Sequence, residues 1–90
     1  MAADVLMYTT PFCPYCMRAK SLLEAKNVAF TDIDVAANPS LRLEMMERSG
    51  RRTVPQIWIG EQHIGGFDDM YLLEREGRLD DLLNGAPGAP

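Results

Sequence analysis

The spacing of apolar residues along the chain predicts alternating strands and helices. Four short apolar runs have the length of β-strands, and four stretches carry apolar residues at the i, i+3, i+4 spacing of a helix. The predicted strands cover 4–8, 28–35, 56–59 and 62–64. The predicted helices begin near Pro14, Pro39, Phe67 and Leu79. This order, βαβαββα with one additional helix, is typical of a small mixed sheet that has helices on both faces.

The second predicted strand changes phase part-way along its length. Val28 and Phe30 alternate in one phase, whereas Ile33 and Val35 alternate in the other. Because the side chains of a strand alternate between two faces, a slip of one residue predicts a bulge or a bend. We expect the first two strands to be parallel and to be joined by a right-handed crossover.

Composition and charge narrow the class of protein. The 90 residues are 47% hydrophobic and 24% charged, which is ordinary for one globular domain. We therefore predict a single domain over residues 1–84 and a flexible tail over 85–90, where GAPGAP has no side chain that could anchor it. The formal charge of −4 argues against nucleic acid or an anionic membrane as the main partner.

The sequence shows no targeting signal and no membrane span. The apolar run at 5–8 is too short for the hydrophobic region of a signal peptide, and no stretch has the length of a transmembrane helix. We therefore expect the cytoplasm. In that reducing compartment, a close cysteine pair serves metal binding or redox chemistry more often than a permanent disulfide.

The only two cysteines, Cys13 and Cys16, lie at the predicted junction of the first strand and the first helix. A closed zinc site needs four ligands, and the only histidine, His63, falls in a predicted strand, where we expect it on the surface of a hairpin. A zinc site within one chain is therefore disfavoured, although a cluster shared by two chains remains an alternative. A structural disulfide is disfavoured too, because a loop this small adds little stability.

Redox chemistry explains the same pair better. At a helix N-terminus, Cys13 faces unpaired backbone N–H groups and the positive end of the helix dipole, which favour a thiolate. Cys16 lies nearly one turn deeper, within reach of a sulfur bound to Cys13. Arg18 and Lys20 add positive charge nearby, unless they are simply solvated. A Cys-x-x-Cys at a strand–helix junction of a βαβ pattern is typical of thiol–disulfide exchange.

Three motifs in order give the chain a family resemblance: CPYC at 13–16, TVPQI at 53–57 and GGFDD at 65–69. Over residues 4–84 the chain resembles the glutaredoxin family, and in particular its bacterial dithiol members. The resemblance implies a thioredoxin-like fold with a four-stranded mixed sheet flanked by helices. It also implies a monomeric, glutathione-dependent thiol–disulfide oxidoreductase that has no tightly bound cofactor and uses glutathione as co-substrate. Its protein partners would be glutathionylated or disulfide-containing proteins.

The resemblance further implies a glutathione site beside the catalytic Cys13 and Cys16. The residues that it places there are Tyr15, Arg42, Arg52, Thr53, Val54, Pro55, Gly66, Asp68 and Asp69. Pro55 would be a cis-proline that faces the cysteines; the alternative is a trans-proline that merely opens the third strand. The backbone of Val54 would pair with the cysteinyl unit of glutathione as an added strand does.

The charged ends of glutathione need partners of opposite charge. Asp68 or Asp69 would pair with the γ-glutamyl ammonium, while helix capping explains both aspartates equally well. Many family members carry a lysine shortly before the first cysteine, but this chain has 10-TPF-12 there. We therefore assign the glycyl carboxylate to Arg42 and Arg52; the alternative is that both are solvated surface arginines.

The mechanism implied by the resemblance gives the two sulfurs different roles, in which Cys13 attacks and Cys16 resolves. One rival is a related protein that is reduced by thioredoxin reductase, but such proteins lack the glutathione-binding pattern that GGFDD represents here. The other rival is a carrier in which two chains share an iron–sulfur cluster. Cluster-binding relatives usually have a smaller residue in place of Pro14, so the proline argues against this role.

Overall fold

The computed structural model of the protein describes residues 3–85. Its elements are β1 (Val5–Thr9), α1 (Pro14–Ala25), β2 (Thr31–Asp34), α2 (Pro39–Ser49), β3 (Gln56–Ile59), β4 (Gln62–Gly65), α3 (Phe67–Arg75) and α4 (Leu79–Leu83). The predicted class and order of elements are confirmed. The predicted tail lies outside the described residues, apart from its first residue, Gly85.

The four strands form one mixed sheet in the order β2-β1-β3-β4. β1 and β2 are parallel, as predicted, whereas β3 is antiparallel to both β1 and β4. β1 and β3 are the central strands, and every residue of β3 is buried. A strand that is covered on both faces has a nearly continuous apolar sequence, as QIWI does in β3.

The two faces of the sheet contribute to two separate hydrophobic clusters. Met7 and Ile57 point to the first face, where they pack against α1, α3 and α4 through residues such as Leu23. Tyr8 and Trp58 point to the second face, where α2 covers them. The predicted arrangement of helices on both faces is therefore confirmed.

The bulge predicted in the second strand is wrong. β2 begins only at Thr31, and its pairing with β1 runs without a shift. Val28 and Phe30 pack against the first cluster, whereas Ile33 and Val35 belong to the second. The phase change therefore reflects side chains before β2 that contact one face of the sheet and side chains from Ile33 onward that contact the other.

Capping residues set the ends of the helices. The Asn38 side chain accepts a hydrogen bond from the Leu41 backbone N–H at the start of α2, and Pro39 follows in the first turn. α2 ends at Gly50, whose φ of 71° is left-handed. Within residues 3–85, none of the helices has both the length and the apolar character needed to cross a membrane.

Candidate active site

Cys13 is the N-cap residue of α1. Its backbone is extended (φ −100°, ψ 112°), and its Sγ accepts a hydrogen bond from the Cys16 backbone N–H at 3.2 Å. Pro14 follows in the first helical turn, where a missing N–H costs nothing. The predicted geometry is present, because the Cys13 sulfur lies at the N-terminus of α1 and accepts a hydrogen bond from a backbone amide of its first turn.

The two sulfurs lie in different environments. Cys13 is half-buried, whereas Cys16 is only 1% exposed, and neither forms a disulfide. Burial raises the pKa of Cys16 to about 12, and the hydrogen bond with Cys13 adds to that increase. A backbone hydrogen bond from Thr10 and the charge of Lys20 act in the opposite direction. Cys16 is therefore held as a neutral thiol directly behind Cys13.

Exposed aromatic side chains lie on both sides of Cys13 in the sequence. Phe12 is 98% exposed and has a left-handed φ of 62°, which is uncommon for any residue other than glycine. Tyr15 is half exposed, and the Arg18 guanidinium carbon lies 5.4 Å from the centre of its ring. This distance is within the range of a cation–π interaction, so Arg18 restrains the ring that borders the site.

The segment before β3 faces Cys13 from the other side. The Val54–Pro55 peptide bond is cis, which confirms the prediction for Pro55. The carbonyl oxygen of Val54 lies 3.8 Å from the Cys13 Sγ, and Pro55 is fully buried behind it. The backbone of Val54 is thus next to the Cys13 sulfur.

A cleft of about 330 Å³ lies beside this segment. It is lined by Tyr15, Arg51, Thr53, Val54, Pro55, Gly66, Phe67, Asp68 and Asp69. All the glutathione-binding residues predicted from the sequence, except Arg42 and Arg52, therefore line one cleft.

Arg42 and Arg52 lie together outside the lining of the cleft. The Arg42 Nη2 donates to the Arg52 carbonyl oxygen at 3.5 Å, the outer limit of a hydrogen bond. Arg51 lines the cleft instead, and the sequence reasoning missed it. The sequence carries no signal for it, because the segment 51–53 is irregular and the side that each arginine faces depends on the path of the chain after Gly50.

Asp69 and Asp68 have different surroundings. The Asp69 Oδ2 accepts hydrogen bonds from the Gly66 backbone N–H and from the Arg51 Nη1, each at 2.9 Å. Burial acts to raise the pKa of Asp69, but these two hydrogen bonds and the Arg51 charge outweigh it and lower that pKa. Asp68 is exposed, and its carboxylate has no hydrogen bond or ion pair within residues 3–85. The capping interpretation therefore holds for Asp69, while Asp68 is open to a ligand.

Gly65 packs tightly against the same pair of side chains. Its φ of 115° disfavours other residues, and a Cβ there would collide with the Asp69 carboxylate and the Arg51 guanidinium. The helix N-terminus of α3 is therefore held close to the 51–55 segment.

A larger hollow of about 880 Å³ lies away from the cysteines, beside the start of β1. Lys26 is its one basic residue, and the ammonium already pairs with Glu74 and Asp80. The cleft beside Cys13 is smaller, but it is the better candidate site because both acidic and basic side chains line it next to a thiol. Among residues 3–85, no group of three His, Cys, Asp or Glu side chains is placed to hold a metal ion.

Comparisons with known proteins agree on one family. The model of the glutaredoxin family matches residues 5–64. A glutaredoxin of Pseudomonas aeruginosa is 55% identical over 80 residues, which are 89% of this chain and 95% of that protein. The solution structure of a glutaredoxin from Brucella melitensis has a TM-score of 0.86 and 56% identity and covers 98% of this chain and 96% of its own. A crystal structure of a buckwheat glutaredoxin–glutathione complex has a TM-score of 0.85 and 27% identity, with coverages of 96% and 83%.

Proposed function

Because the chain belongs to the glutaredoxin family and has its thioredoxin-like fold, we propose that it reduces protein–glutathione mixed disulfides and protein disulfides through Cys13 and Cys16. The observation that carries this proposal is the unequal environment of the two sulfurs beside one cleft. One sulfur is accessible and faces helix amides, and the other is a buried thiol behind it.

The cleft suits an extended, zwitterionic ligand such as glutathione. The peptide groups of Val54 would pair with the cysteinyl unit of the ligand, which brings the ligand's sulfur next to the Cys13 Sγ. The backbone N–H groups at the start of α3 would hold the γ-glutamyl carboxylate. The buckwheat relative that was solved as a glutathione complex supports this class of ligand.

The γ-glutamyl ammonium and the glycyl carboxylate, the other two charged groups of the ligand, would have different partners. Asp68 is exposed at the cleft and would accept the γ-glutamyl ammonium, since the Oδ2 of Asp69 already serves Gly66 and Arg51. Arg51 lines the cleft, but its Nη1 already pairs with the Asp69 Oδ2 at the γ-glutamyl end. We therefore propose Arg42 and Arg52 as the cations for the glycyl carboxylate, where the ligand extends past the cleft.

The monothiol reaction needs Cys13 alone. The Cys13 thiolate attacks the glutathione sulfur of a protein–glutathione mixed disulfide, and the protein sulfur leaves as a thiolate that takes a proton from water. A second glutathione, as its thiolate, attacks the glutathione sulfur bound to Cys13. Glutathione disulfide leaves, and the Cys13 thiolate is regenerated. The helix amides stabilise Cys13 both as the attacking thiolate and as the leaving group.

The dithiol reaction adds Cys16 as the resolving group. Burial raises the pKa of Cys16 to about 12, so Cys16 is a protonated thiol at pH 7. The Coulombic contribution of Cys13 to that pKa vanishes once its sulfur is in a neutral mixed disulfide. Attack of Cys16 on Cys13 then releases the substrate thiol and leaves a Cys13–Cys16 disulfide, which two glutathione molecules reduce.

The direct test is turnover of a glutathionylated peptide with glutathione, glutathione reductase and NADPH. We expect NADPH oxidation that depends on the protein and on glutathione. The same peptide with thioredoxin reductase in place of glutathione and its reductase should give no turnover. Activity only in the thioredoxin reductase assay would overturn the proposal.

The cellular setting forms part of the same proposal. We propose a monomer that acts in the cytoplasm on glutathionylated or disulfide-containing proteins, without a tightly bound cofactor. Scattering of the purified protein at several concentrations tests the monomer, since a concentration-dependent increase in mass would contradict it.

A further inference from the structure

The Thr53–Val54 segment forms one wall of the cleft without belonging to any strand or helix. Within residues 3–85, the backbone–backbone hydrogen bonds of loops and turns include neither residue. The Val54 side chain packs against the second hydrophobic cluster, which fixes its position. An apolar contact has no direction, however, and does not determine how the peptide groups are oriented.

Gln56 supplies directional contacts to this segment, in addition to the contact between the Val54 carbonyl oxygen and the Cys13 Sγ. Its side chain is fully buried, and its Nε2 donates to the Thr53 carbonyl oxygen at 3.0 Å and to the Thr53 Oγ1 at 3.1 Å. Gln56 itself pairs with Tyr8 between the two central strands, so its backbone is held firmly. The side chain therefore connects the rigid sheet to the peptide group that precedes Val54.

His63 completes the hydrogen bonding of Gln56. The His63 Nε2 lies 2.8 Å from the Gln56 Oε1. A carbonyl oxygen only accepts hydrogen bonds, so the contact with Thr53 requires the Gln56 amide nitrogen to face Thr53 and the amide oxygen to face His63. His63 must then carry a proton on Nε2 and donate it, which assigns its tautomer.

The His63 ring is fixed in turn by the sheet. His63 pairs with Trp58 across β3 and β4, and the two rings lie 4.6 Å apart. Burial lowers the pKa of His63, the charges of Arg51 and Arg48 lower it further, and Asp69 opposes them. Both protonation states of the imidazole keep the Nε2–H, so the donor to Gln56 is present at any pH at which the protein is folded.

We infer that His63 and Gln56 are positioning residues that fix the peptide group between Thr53 and Val54 in the orientation a glutathione backbone pairs with. The inference rests on the proposed function, because it takes the ligand to be glutathione. Neither side chain lines the cleft or touches the sulfur of Cys13. Their contribution is to order this wall before the ligand arrives, which lowers the entropic cost of binding.

The experiment compares three variants in the turnover assay and in ligand-free NMR. Gln56→Leu removes the donor to Thr53 at similar volume. His63→Phe keeps a ring against Trp58 but cannot donate. His63→Gln loses the ring but keeps an Nε2–H that is three bonds from Cβ, as in histidine. Gln62→Leu is the control, because Gln62 is exposed on the same strand as His63.

The expected pattern is a change in KM for the glutathionylated peptide with little change in kcat. Loss of buried hydrogen bonds should raise KM about tenfold in Gln56→Leu and about fourfold in His63→Phe. His63→Gln and the control should stay within about twofold of wild type. The amide order parameters of Thr53 and Val54 should fall in the first two variants and not in the last two.

Each of the other outcomes overturns the inference. If His63→Phe and His63→Gln give the same KM, the hydrogen bond is not what matters. If the order parameters of Thr53 and Val54 do not change in Gln56→Leu, the segment is held by other contacts. The NMR measurement uses no glutathione, so it tests the positioning role even if wild type shows no glutathione-dependent turnover, a result that would overturn only the proposed function.

Discussion

The two walls of the cleft are built in different ways. On one side, next to the wall residue Tyr15, Cys13 receives its hydrogen bond from Cys16, three residues away, and the start of α1 determines the geometry. On the other wall, Thr53 is held by a chain of side chains that reaches His63, and Arg51 reaches Asp69, 18 residues along the sequence. The reactive wall is thus a local motif, whereas the binding wall depends on the tertiary fold.

The largest expected effect comes from the two cysteines of the reactive wall. Cys13→Ser should reduce both deglutathionylation and protein disulfide reduction to the rates measured without protein, because the nucleophile is gone. Cys16→Ser should keep most deglutathionylation and lose disulfide reduction, since only that reaction needs a resolving thiol. Parallel assays on a glutathionylated peptide and on a protein disulfide measure the difference. Equal losses in the two variants would contradict the assigned roles.

The next largest effect tests how the residues behind the binding wall pack. Gly65→Ala should lower the free energy of unfolding by about 3 kcal/mol, because a Cβ at this left-handed position meets Asp69 and Arg51. Gly60→Ala is the matched control: Gly60 is also left-handed, at φ 61°, but has open space around it. We expect it to cost about 1 kcal/mol from strain alone. Urea unfolding of both variants measures the difference, and equal losses would show that the packing at Gly65 has no effect.

A smaller effect separates the two neighbouring aspartates. Asp68→Asn should raise KM for the glutathionylated peptide about fivefold, through loss of a charged partner, and leave stability unchanged. Asp69→Asn should lower the free energy of unfolding by about 1 kcal/mol, because Asp69 caps α3 and pairs with Arg51. Steady-state kinetics and urea unfolding of both variants test this pair. A KM change that is confined to Asp69→Asn would reverse the two roles.

The smallest effect is a pH dependence of stability. The pKa of Asp69 is lowered in the folded protein, so its ionised form stabilises the fold above the ordinary value of 3.8. That contribution is lost as the pH falls from about 3.8 through the lower pKa of the folded state. The difference in unfolding free energy between wild type and Asp69→Asn should be constant from pH 7 to about pH 5 and shrink below pH 4. A difference that grows on acidification would contradict the assignment.

The geometry of the reactive wall could be predicted from the sequence better than that of the binding wall. The start of α1 at Pro14 and the cap at Asn38 follow from residues within one helical turn of each other, which a single chain segment displays. His63, in contrast, was expected on a hairpin surface, but it is half-buried and bonded to Gln56. Gln56 lies two residues from Trp58 on the same face of β3, and His63 pairs with Trp58 from β4, so the register of this strand pair brings the two residues together, and the spacing of apolar residues does not encode that register.

The directions in which the arginine side chains point could not be predicted from the sequence either. The assignment of Arg42 and Arg52 rests on the resemblance to the family, while the cleft is lined by Arg51. In a run of consecutive arginines, the side that each one faces depends on how the irregular segment leaves α2 at Gly50. The hydrogen bonds between the Ser49 side chain and the Arg51 backbone contribute to that path, and they are visible only in three dimensions.

The short outer strand β2 has a consequence for self-association. β2 lies at an edge of the sheet, has only four residues, and carries Asp32 and Asp34 among them. The Asp32 carboxylate already pairs with Lys20 of the same chain. A second copy that tried to extend the sheet through its own β2 would therefore meet a very short ladder and bring the exposed Asp34 carboxylates close to one another. The sequence TDID therefore protects an open edge against aggregation, which matters for a chain whose central strands are so apolar.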